Sequence, residues 1–371
     1  MPKTASAPEP ATGKRLGEMK MDKATGTRDR VDDYINNGLR GFWVPVAVSV
    51  QVKVGKPFAT KIAGENLVMW RDGAGKVRCV EDFCPHRGAK LSLGEVQDGN
   101  IACRYHGVAV DGTGTVARVP AMPNCALEGR KALTAYSCEE AGGAIFIYLP
   151  SADRPEAPAF VPPAEFTNGE WQVFPCMTRW DCSYRLSLDN AADPMHAIYL
   201  HSDSFTLQYG AKQDTMNLER TEDGFRIERM GQKGVNLDET EVVMDEGMMY
   251  FRLDIPYPDG AGPGGPFRII GFAVAIDEHT HHSFFWRCRQ VTGLAAESWR
   301  FLYRAFLEDR HWFVLEQDRV MLESIPEDAR RREMLYQHDI GVSRLRQMMV
   351  RRAKEHFKAL DAAEADGKKT A

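Results

Sequence analysis

The sequence predicts an α+β protein, with an N-terminal all-β domain followed by a domain of antiparallel strands and helices. Between 44 and 150, short apolar or alternating runs such as NLVMWRD and GGAIFIYLP are separated by Gly and Asp turn signals. Residues 150–166 are rich in Pro, which predicts an extended connector. From 184 onward, strand-like segments lie between helical patterns, so that helices and strands occupy separate parts of the second domain.

The chain is 371 residues long, which predicts two domains. We expect a flexible N-terminal tail over 1–35, a first domain over 38–152, a second domain over 153–362 and a flexible C-terminal tail over 363–371. Within the second domain the centre of 184–205 is a predicted helix. Strands are predicted at 216–229, 240–255, 268–276 and 282–291, and long helices at 296–324 and 327–362.

Composition and charge argue against several classes of protein. The net charge of −5 gives no sign of nucleic-acid binding. No apolar run approaches the length of about 18 residues that a membrane span needs, and the N-terminus has no apolar run typical of a secretory signal. The 8 Cys are too scattered for a small secreted disulfide scaffold. We therefore expect a cytoplasmic protein that binds neither nucleic acid nor membrane and keeps its thiols free for metal.

Two short pairs of metal-ligating residues lie in the first domain: Cys84 with His86, and Cys103 with His106. Structural zinc sites usually pair Cys with Cys and His with His. Here each pair mixes the two types. Two facing hairpin tips of this kind would each give one ligand to each iron of a Rieske [2Fe–2S] centre, in which one iron takes two Cys and the other two His. The pattern favours the iron–sulfur cluster, with a zinc knuckle as the alternative.

A second candidate site lies in DNAADPMHAIYLH, where His196 and His201 are five residues apart. Two His and one carboxylate form the facial triad of non-haem Fe(II) sites that activate O₂. On an ideal α-helix these two side chains would point about 140° apart. A widened i→i+5 turn, or a helix that ends just before His201, would bring both to one metal. From spacing alone, two unrelated His on a helix are the alternative.

CPHRGAKLSLGEV…CRYHG and DNAADPMHAIYLH together resemble the motifs of the Rieske non-haem iron ring-hydroxylating oxygenases. They are similar in style to the single-subunit terminal oxygenase components that demethylate vanillate and dicamba. The resemblance spans about residues 38–350 and implies a mononuclear Fe(II) bound by His196, His201 and an Asp of a late helix. Asp318 fits best, because its helix is apolar and a buried carboxylate needs a partner; Glu316 is the alternative.

The resemblance also implies a role for Asp193 and an oligomeric state. Asp193 would hydrogen-bond His196 and link it to His106 of a neighbouring subunit in a head-to-tail homotrimer, which gives electrons a path between the two metal centres. Pro194, which departs from many relatives, predicts either a helix N-cap at Asp193 or a kinked helix.

The implied function is that of an oxygenase, mono- or dioxygenase, in aromatic compound catabolism. It would hydroxylate or oxidatively demethylate an aromatic or other small organic substrate with O₂. Without a G-x-G-x-x-G fingerprint between a predicted strand and a predicted helix, the chain is expected to receive electrons from a separate NAD(P)H-dependent reductase with flavin and a [2Fe–2S] cluster. A ferredoxin between that reductase and the chain is part of the same expectation. The alternative is a Rieske electron-transfer protein whose C-terminal domain only binds a partner.

Other positions carry weaker expectations. Phe205, Phe272 and Phe285 are candidates for the wall of a substrate pocket, and Arg268 for contact with an acidic substrate. Five further His residues are expected outside the site: 279, 281 and 282 in a polar turn, and 311 and 338 on a helix surface or interface.

Overall fold

The computed structural model describes residues 26–370, apart from 205, 232–233, 238, 246 and 258–261. Its strands are β1 (Phe42–Val48), β2 (Phe58–Ile62), β3 (Glu65–Arg71), β4 (Val77–Glu81), β5 (Glu95–Gln97), β6 (Asn100–Ala102), β7 (Ala109–Val110), β8 (Val116–Arg118), β9 (Ala135–Tyr136), β10 (Cys138–Ala141), β11 (Ala144–Leu149), β12 (Trp171–Trp180), β13 (Met216–Thr221), β14 (Gly224–Arg229), β15 (Glu239–Met244), β16 (Met249–Ile255), β17 (Phe267–Ala275) and β18 (His281–Gln290). Its α-helices are α1 (Gly26–Asn36), α2 (Tyr184–Ala191), α3 (His196–Leu200), α4 (Gly293–Leu302), α5 (Glu308–Glu323) and α6 (Ile340–Thr370).

The first domain consists of three small antiparallel sheets, in the orders β1-β11-β10, β2-β3-β4-β9 and β5-β6-β7-β8. Strand β3 separates two apolar cores, because successive side chains of a strand point to opposite faces. Val68 and Trp70 pack in the core beneath the Cys/His loops. Leu67 and Met69 pack in a core that is shared with the second domain. The expected all-β architecture is confirmed, and the loops rest on a fully apolar base.

The second domain is built on a seven-stranded antiparallel sheet in the order β12-β18-β17-β16-β15-β14-β13. Strand β18 lies between β12 and β17. Its successive side chains point alternately to the two faces of the sheet. Phe284, Trp286 and Cys288 join the core shared with the first domain. Phe285 and Arg287 point to the other face, where they line a cavity. The α+β class predicted from the sequence is confirmed.

The predicted N-terminal tail is wrong over its last part, because 26–36 form helix α1; residues 1–25 lie outside the described part of the chain. Ile35 is fully buried and Val31 nearly so, and Tyr34 stacks on His356 of α6 with ring centroids 4.3 Å apart. A short helix of this kind is marginal alone and is stabilised by packing against another part of the chain. The sequence of α1 shows too few apolar residues to reveal that packing.

The C-terminal expectations also need correction. The last helix begins at Ile340 rather than near 327, since 327–339 form turns that include two short 3₁₀ segments. It then continues to Thr370, so 363–370 are helical and not a flexible tail. The other predicted helix, 296–324, is divided into α4 and α5 by a π-helical turn at Tyr303–Leu307. No helix in the described residues is long and apolar enough to cross a membrane.

Candidate active site

Two loops of the first domain share one backbone pattern. In the loop 84–89, the Cys84 N–H donates to the carbonyl of Ala89 at 2.8 Å, and the Cys84 carbonyl accepts from the Gly88 N–H at 2.8 Å. The loop 103–108 repeats both bonds at 2.9 and 2.8 Å. Gly88 and the equivalent Gly107 have φ angles of 78° and 70°, a conformation that glycine adopts without a steric penalty. The repeated pattern presents one Cys and one His from each loop.

The four side chains of these loops fit a cluster with two kinds of ligand. Both Cys are buried, with 2% of their surface exposed, whereas both His are exposed. The imidazoles of His86 and His106 lie 4.7 Å apart between ring centroids. Burial raises the pKa of the Cys84 thiol, and the Cys103 sulfur beside it raises it further. Two buried thiols side by side and two convergent imidazoles are the donor set of a Rieske cluster.

The second His pair lies where the chain changes direction between two short helices. Helix α2 ends at Ala191, and the Asp193 carboxylate accepts a hydrogen bond from the Met195 N–H at 2.9 Å. Helix α3 then runs only from His196 to Leu200, so that His201 follows its end. Of the two geometries considered from the spacing, the structure has the helix that ends just before His201. Pro194 lies in the turn and is not the first residue of a helix, and Asp193 is not its N-cap.

Asp318, on α5, meets both His side chains. Its Oδ1 lies 3.6 Å from Nε2 of His196 and 3.3 Å from Nε2 of His201. One ligand atom from each of the three residues falls within 4.8 Å of the others. Glu316, the alternative carboxylate, is on the exposed side of the helix and pairs with Arg319. The structure therefore brings together the two His and the one carboxylate that the sequence singled out.

Hydrogen bonds to the far side of each imidazole set the direction of the ligand nitrogens. Nδ1 of His196 contacts the backbone carbonyl of Asp193, and Nδ1 of His201 donates to the Gln317 side-chain oxygen at 3.0 Å. Because both Nδ1 atoms face acceptors, both Nε2 atoms are left with lone pairs that point toward Asp318. Asn190 donates to the same carboxylate at 3.2 Å.

This arrangement fits a metal in both tautomer and charge. Burial alone lowers the pKa of His201, but the adjacent Asp318 carboxylate more than offsets this and raises that pKa. The sequence alone gave no role to Gln317. Only its position next to Asp318 could have indicated one, because these two successive residues of α5 contact opposite nitrogens of the His201 ring.

The triad forms one wall of a cavity of about 100 Å³ between the sheet and the helices. Most of the lining is apolar, which is typical of sites for small organic molecules. On α5, positions 311, 314, 315 and 318 all face it, as expected for residues that share one side of a helix. The larger apolar lining residues come from the sheet, the helices and two loops, and are Trp180, Leu207, Leu237, Phe251, Leu253, Ile255, Phe267, Ile269, Phe272, Phe285, Val314 and Leu315.

The expected pocket residues have mixed outcomes. Phe272 and Phe285 line the cavity, whereas Phe205 lies outside the described residues. Arg268 is wrong as a substrate contact, because its guanidinium is paired with Glu165 and Asp254 on the far face of the sheet. The arginine that does reach the cavity is Arg287, which is 3% exposed. Residue type alone could not separate the two, since both are single Arg residues within apolar strands.

Of the other His residues, 281, 282 and 311 differ from expectation, since 281 and 282 lie on strand β18 and not in a turn. His281 is a fully buried strand residue, with Nδ1 donating to the Cys182 carbonyl and Nε2 bonded to the Ser187 hydroxyl, both at 2.8 Å. His311 lines the cavity and is not a helix-surface residue. His279 does lie in the polar turn before β18, and His338 bonds the backbone carbonyl of Asp214 at 2.9 Å.

Both domains of the chain match families of known proteins. Residues 42–137 match the Rieske [2Fe-2S] domain, and 180–355 match the Vanillate O-demethylase oxygenase C-terminal domain. The chain therefore carries a Rieske [2Fe-2S] domain followed by a Vanillate O-demethylase oxygenase C-terminal domain. This is the pair of domains that the resemblance implied.

Among curated relatives, the Vanillate O-demethylase oxygenase subunit of Pseudomonas sp. (strain HR199 / DSM 7063) is 40% identical over 151 residues, which cover 40% of this chain and 41% of that protein. The Phthalate 4,5-dioxygenase oxygenase subunit of Pseudomonas putida is 28% identical over 265 residues, or 67% of this chain and 58% of that protein. The chain thus matches about two fifths of the length of the vanillate relatives.

Solved structures of the same fold cover nearly all of the chain. The terminal oxygenase of carbazole 1,9a-dioxygenase from Novosphingobium sp. KA1 aligns with a TM-score of 0.71 and 20% identity, over 90% of this chain and 98% of that one. Dicamba monooxygenase bound to dicamba aligns with a TM-score of 0.68 and 19% identity, over 87% of this chain and 98% of that one. At these identities the comparison establishes the fold.

Proposed function

We propose that this protein is a terminal oxygenase that uses O₂ and relayed electrons to hydroxylate or oxidatively demethylate an aromatic or other small organic substrate. The observation that carries the proposal is the convergence of His196, His201 and Asp318 at the wall of an apolar cavity. A protein that only carried electrons through a Rieske cluster would need neither a second donor set nor a cavity beside it.

The proposed division of labour follows from the donor sets. Cys84, His86, Cys103 and His106 would hold the [2Fe–2S] cluster, and the triad would hold a mononuclear Fe(II). When bound, these groups supply one-electron transfer and O₂ activation. The chain's own part is to keep both triad imidazoles neutral, to direct their Nε2 atoms, and to supply one carboxylate charge. The apolar walls exclude water and hold the reacting carbon of the substrate next to the triad.

Electrons are proposed to pass between subunits of a head-to-tail homotrimer, from His106 of one chain through Asp193 to His196 of the next. Two features support this. The imidazole of His106 is exposed in the single chain, and Asp193 is next to His196 in space. The contact with Nδ1 of His196 is made by the backbone carbonyl of Asp193 and not, as expected, by its carboxylate, which accepts from the Met195 N–H. Burial raises the pKa of the Asp193 carboxyl, while the neighbouring His196 opposes that rise.

The external electron donor is proposed to be a separate NAD(P)H-dependent reductase with flavin and a [2Fe–2S] cluster, or a ferredoxin that it reduces. Exposed aromatic and apolar side chains close in sequence to the cluster ligands would suit a redox partner, namely Phe83 and Tyr105. Solved structures of carbazole 1,9a-dioxygenase include an oxygenase and ferredoxin complex. A reducing, cytoplasmic location is proposed because the cluster depends on free thiols.

The domain limits are proposed to be 38–152 and 153–362. Strand β11 ends at Leu149, and the next strand begins only at Trp171. The connector between them packs on the first domain through Trp43, whose indole N–H donates to the Pro158 carbonyl at 3.1 Å.

The decisive experiment measures iron and acid-labile sulfide in anaerobically prepared protein, together with O₂ uptake and formaldehyde release on methoxy-aromatic substrates with a surrogate reductase. We expect about three iron and two sulfide per chain. Asp318→Ala should leave about two iron and unchanged sulfide, without turnover, while the matched control Glu316→Ala should behave as the wild type. If Fe(II)-reconstituted wild type holds only the cluster iron, the protein is an electron carrier; zinc without sulfide would contradict both.

A further inference from the structure

We infer that Arg287 anchors an anionic group of the substrate, a carboxylate, and that oxidation takes place at the opposite end of the same molecule. This inference rests on the proposed function and deepens it by naming the substrate class. It does not follow from the similarity to known proteins, because these are named for a charged compound, phthalate, as well as for an uncharged one, carbazole.

Arg287 is held at the cavity by the strand that carries it. Strand β18 lies inside the sheet, where Arg287 pairs with Phe174 of β12 and Ile269 of β17. Because strand residues alternate, Arg287 shares with Phe285 the face that lines the cavity. A guanidinium in this position cannot reach bulk water, as its 3% exposure shows.

The guanidinium of Arg287 has no anionic partner in the part of the chain that the structure describes. Neither Nη1 nor Nη2 has a hydrogen-bond partner within the described residues, and the contact that the guanidinium makes is with the face of Trp312, 4.9 Å from the ring centroid. The carboxylate of Glu308, whose charge reaches the neighbouring Tyr303, accepts two hydrogen bonds from Arg304 instead. A buried guanidinium costs stability unless it is paired, so we assign the missing partner to the substrate.

A second polar side chain stands next to the guanidinium. His311 lines the same cavity, and its Nδ1 also has no partner in the described part of the chain. Burial, together with the positive charge of Arg287, lowers the pKa of His311 to about 3, so its imidazole is neutral. Its Nε2 bonds the Tyr257 hydroxyl at 3.2 Å. When that hydroxyl donates to Nε2, the proton of the neutral imidazole is on Nδ1. The two Nη groups of Arg287 and the Nδ1–H of His311 are then three donors that suit a carboxylate.

The distance between this polar end and the triad sets the shape of the substrate. His311 and Asp318 lie on one face of α5, two turns apart, which is about 10 Å along the helix axis. The lining between them is apolar, through Val314 and Leu315. This length suits one aromatic ring with the carboxylate at one end and the oxidised methyl or ring carbon at the far end, so that a substituent next to the carboxylate would not reach the triad.

The test compares two probes of the same shape, 4-methoxybenzoate and the neutral 4-methoxybenzamide, on the anaerobic holoenzyme. Binding is followed by tryptophan fluorescence, since Trp180 lines the cavity and Trp312 touches Arg287. The wild type should bind the benzoate about 10- to 100-fold more tightly, the range of a charge-assisted hydrogen bond to a buried group. Arg287→Met should abolish this preference and Arg287→Lys should retain part of it, whereas Arg300→Met, which removes the same charge from the surface of α4, should change nothing.

Turnover then tests the orientation. We expect demethylation of 4- and 3-methoxybenzoate and little of 2-methoxybenzoate. Equal binding of benzoate and benzamide by the wild type would overturn the inference without any variant, as would an unchanged preference in Arg287→Met. If 4-methoxybenzamide is demethylated as fast as 4-methoxybenzoate, Arg287 does not anchor the substrate, while the proposed oxygenase function is still supported. If the Fe(II)-reconstituted wild type holds no more iron than Asp318→Ala, the proposed function itself fails.

Discussion

The side-chain oxygen of Gln317 lies 3.0 Å from Nδ1 of His201, at the end of the imidazole opposite to the one that faces Asp318. Consecutive residues of α5 thus contact the two ends of one histidine: Gln317 fixes the tautomer, and Asp318 meets the ligand nitrogen. Partners of this kind make a ligand more basic and hold its ring in one orientation.

Replacement of Gln317 by Leu should weaken iron binding at the triad by about 10- to 100-fold, because the His201 ring loses the acceptor that fixes its tautomer. Competition with a chelator under anaerobic conditions measures this directly. Gln347→Leu, on the exposed face of α6, is the matched control and should retain wild-type affinity. Equal iron loss in both variants would show that Gln317 does not position the ligand.

Asp193→Asn should separate electron transfer from iron binding. Asn keeps the oxygen that accepts from the Met195 N–H, so the turn and the iron content should stay unchanged. The carboxylate charge is lost, and turnover should fall by at least about tenfold, a barrier increase of roughly 1.4 kcal/mol. In single-turnover experiments the cluster should still be reduced but should reoxidise slowly in the presence of substrate and O₂. Normal reoxidation would exclude the proposed path through Asp193.

Gly107→Ala should disrupt the second cluster loop. Its φ of 70° costs a non-glycine residue about 1–2 kcal/mol, and the added Cβ would lie 2.7 Å from the Pro120 ring. We expect a lower content of iron and sulfide in the purified protein, measured against total protein. Gly73→Ala, where a Cβ meets nothing within 4 Å, should assemble a normal cluster. Full assembly in Gly107→Ala would mean that the loop tolerates a shift of Pro120.

Acid should destabilise the second domain through His281. Burial lowers the pKa of His281 to about 4, only partly opposed by the Cys182 carbonyl, whereas the unfolded value is about 6.5. Between these values the unfolded chain binds more protons than the folded chain. The contribution of His281 to the free energy of unfolding is therefore complete above about pH 6.5, and it declines as the pH falls, by up to about 1.4 kcal/mol per pH unit.

His281→Gln should lower the melting temperature at pH 8, because the two hydrogen bonds of the imidazole are lost. Between pH 7 and about pH 5 the melting temperature of this variant should fall less than that of the wild type, because the titrating group is gone. Thermal unfolding across that range measures both effects. His279→Gln, in the exposed turn before β18, should keep the wild-type dependence on pH. A parallel pH profile in His281→Gln would show that other groups cause the acid sensitivity.

The motifs whose residues are close in sequence were the ones that the sequence predicted well. Cys84 with His86 and Cys103 with His106 need only a short loop and a glycine of positive φ to present their ligands. His196 and His201 need only a helix that stops in time. Asp318 followed from the resemblance, which implies an Asp on a late helix, and from its apolar neighbours along the chain. The α+β class followed from strand and helix periodicity in the same way.

Tertiary structure decided which side chains complete the site. Arg268 and Arg287 occupy similar apolar strands, and only the register of β18 within the sheet turns Arg287 to the cavity while Arg268 meets Glu165. Likewise, α1 is a helix because α6 covers it, and a chain segment cannot specify in its own residues what will pack on it. Local spacing, together with the resemblance, thus determined the candidate metal ligands and the α+β class. Long-range packing determined the helix over 26–36 and the position of the Arg287 charge beside the cavity.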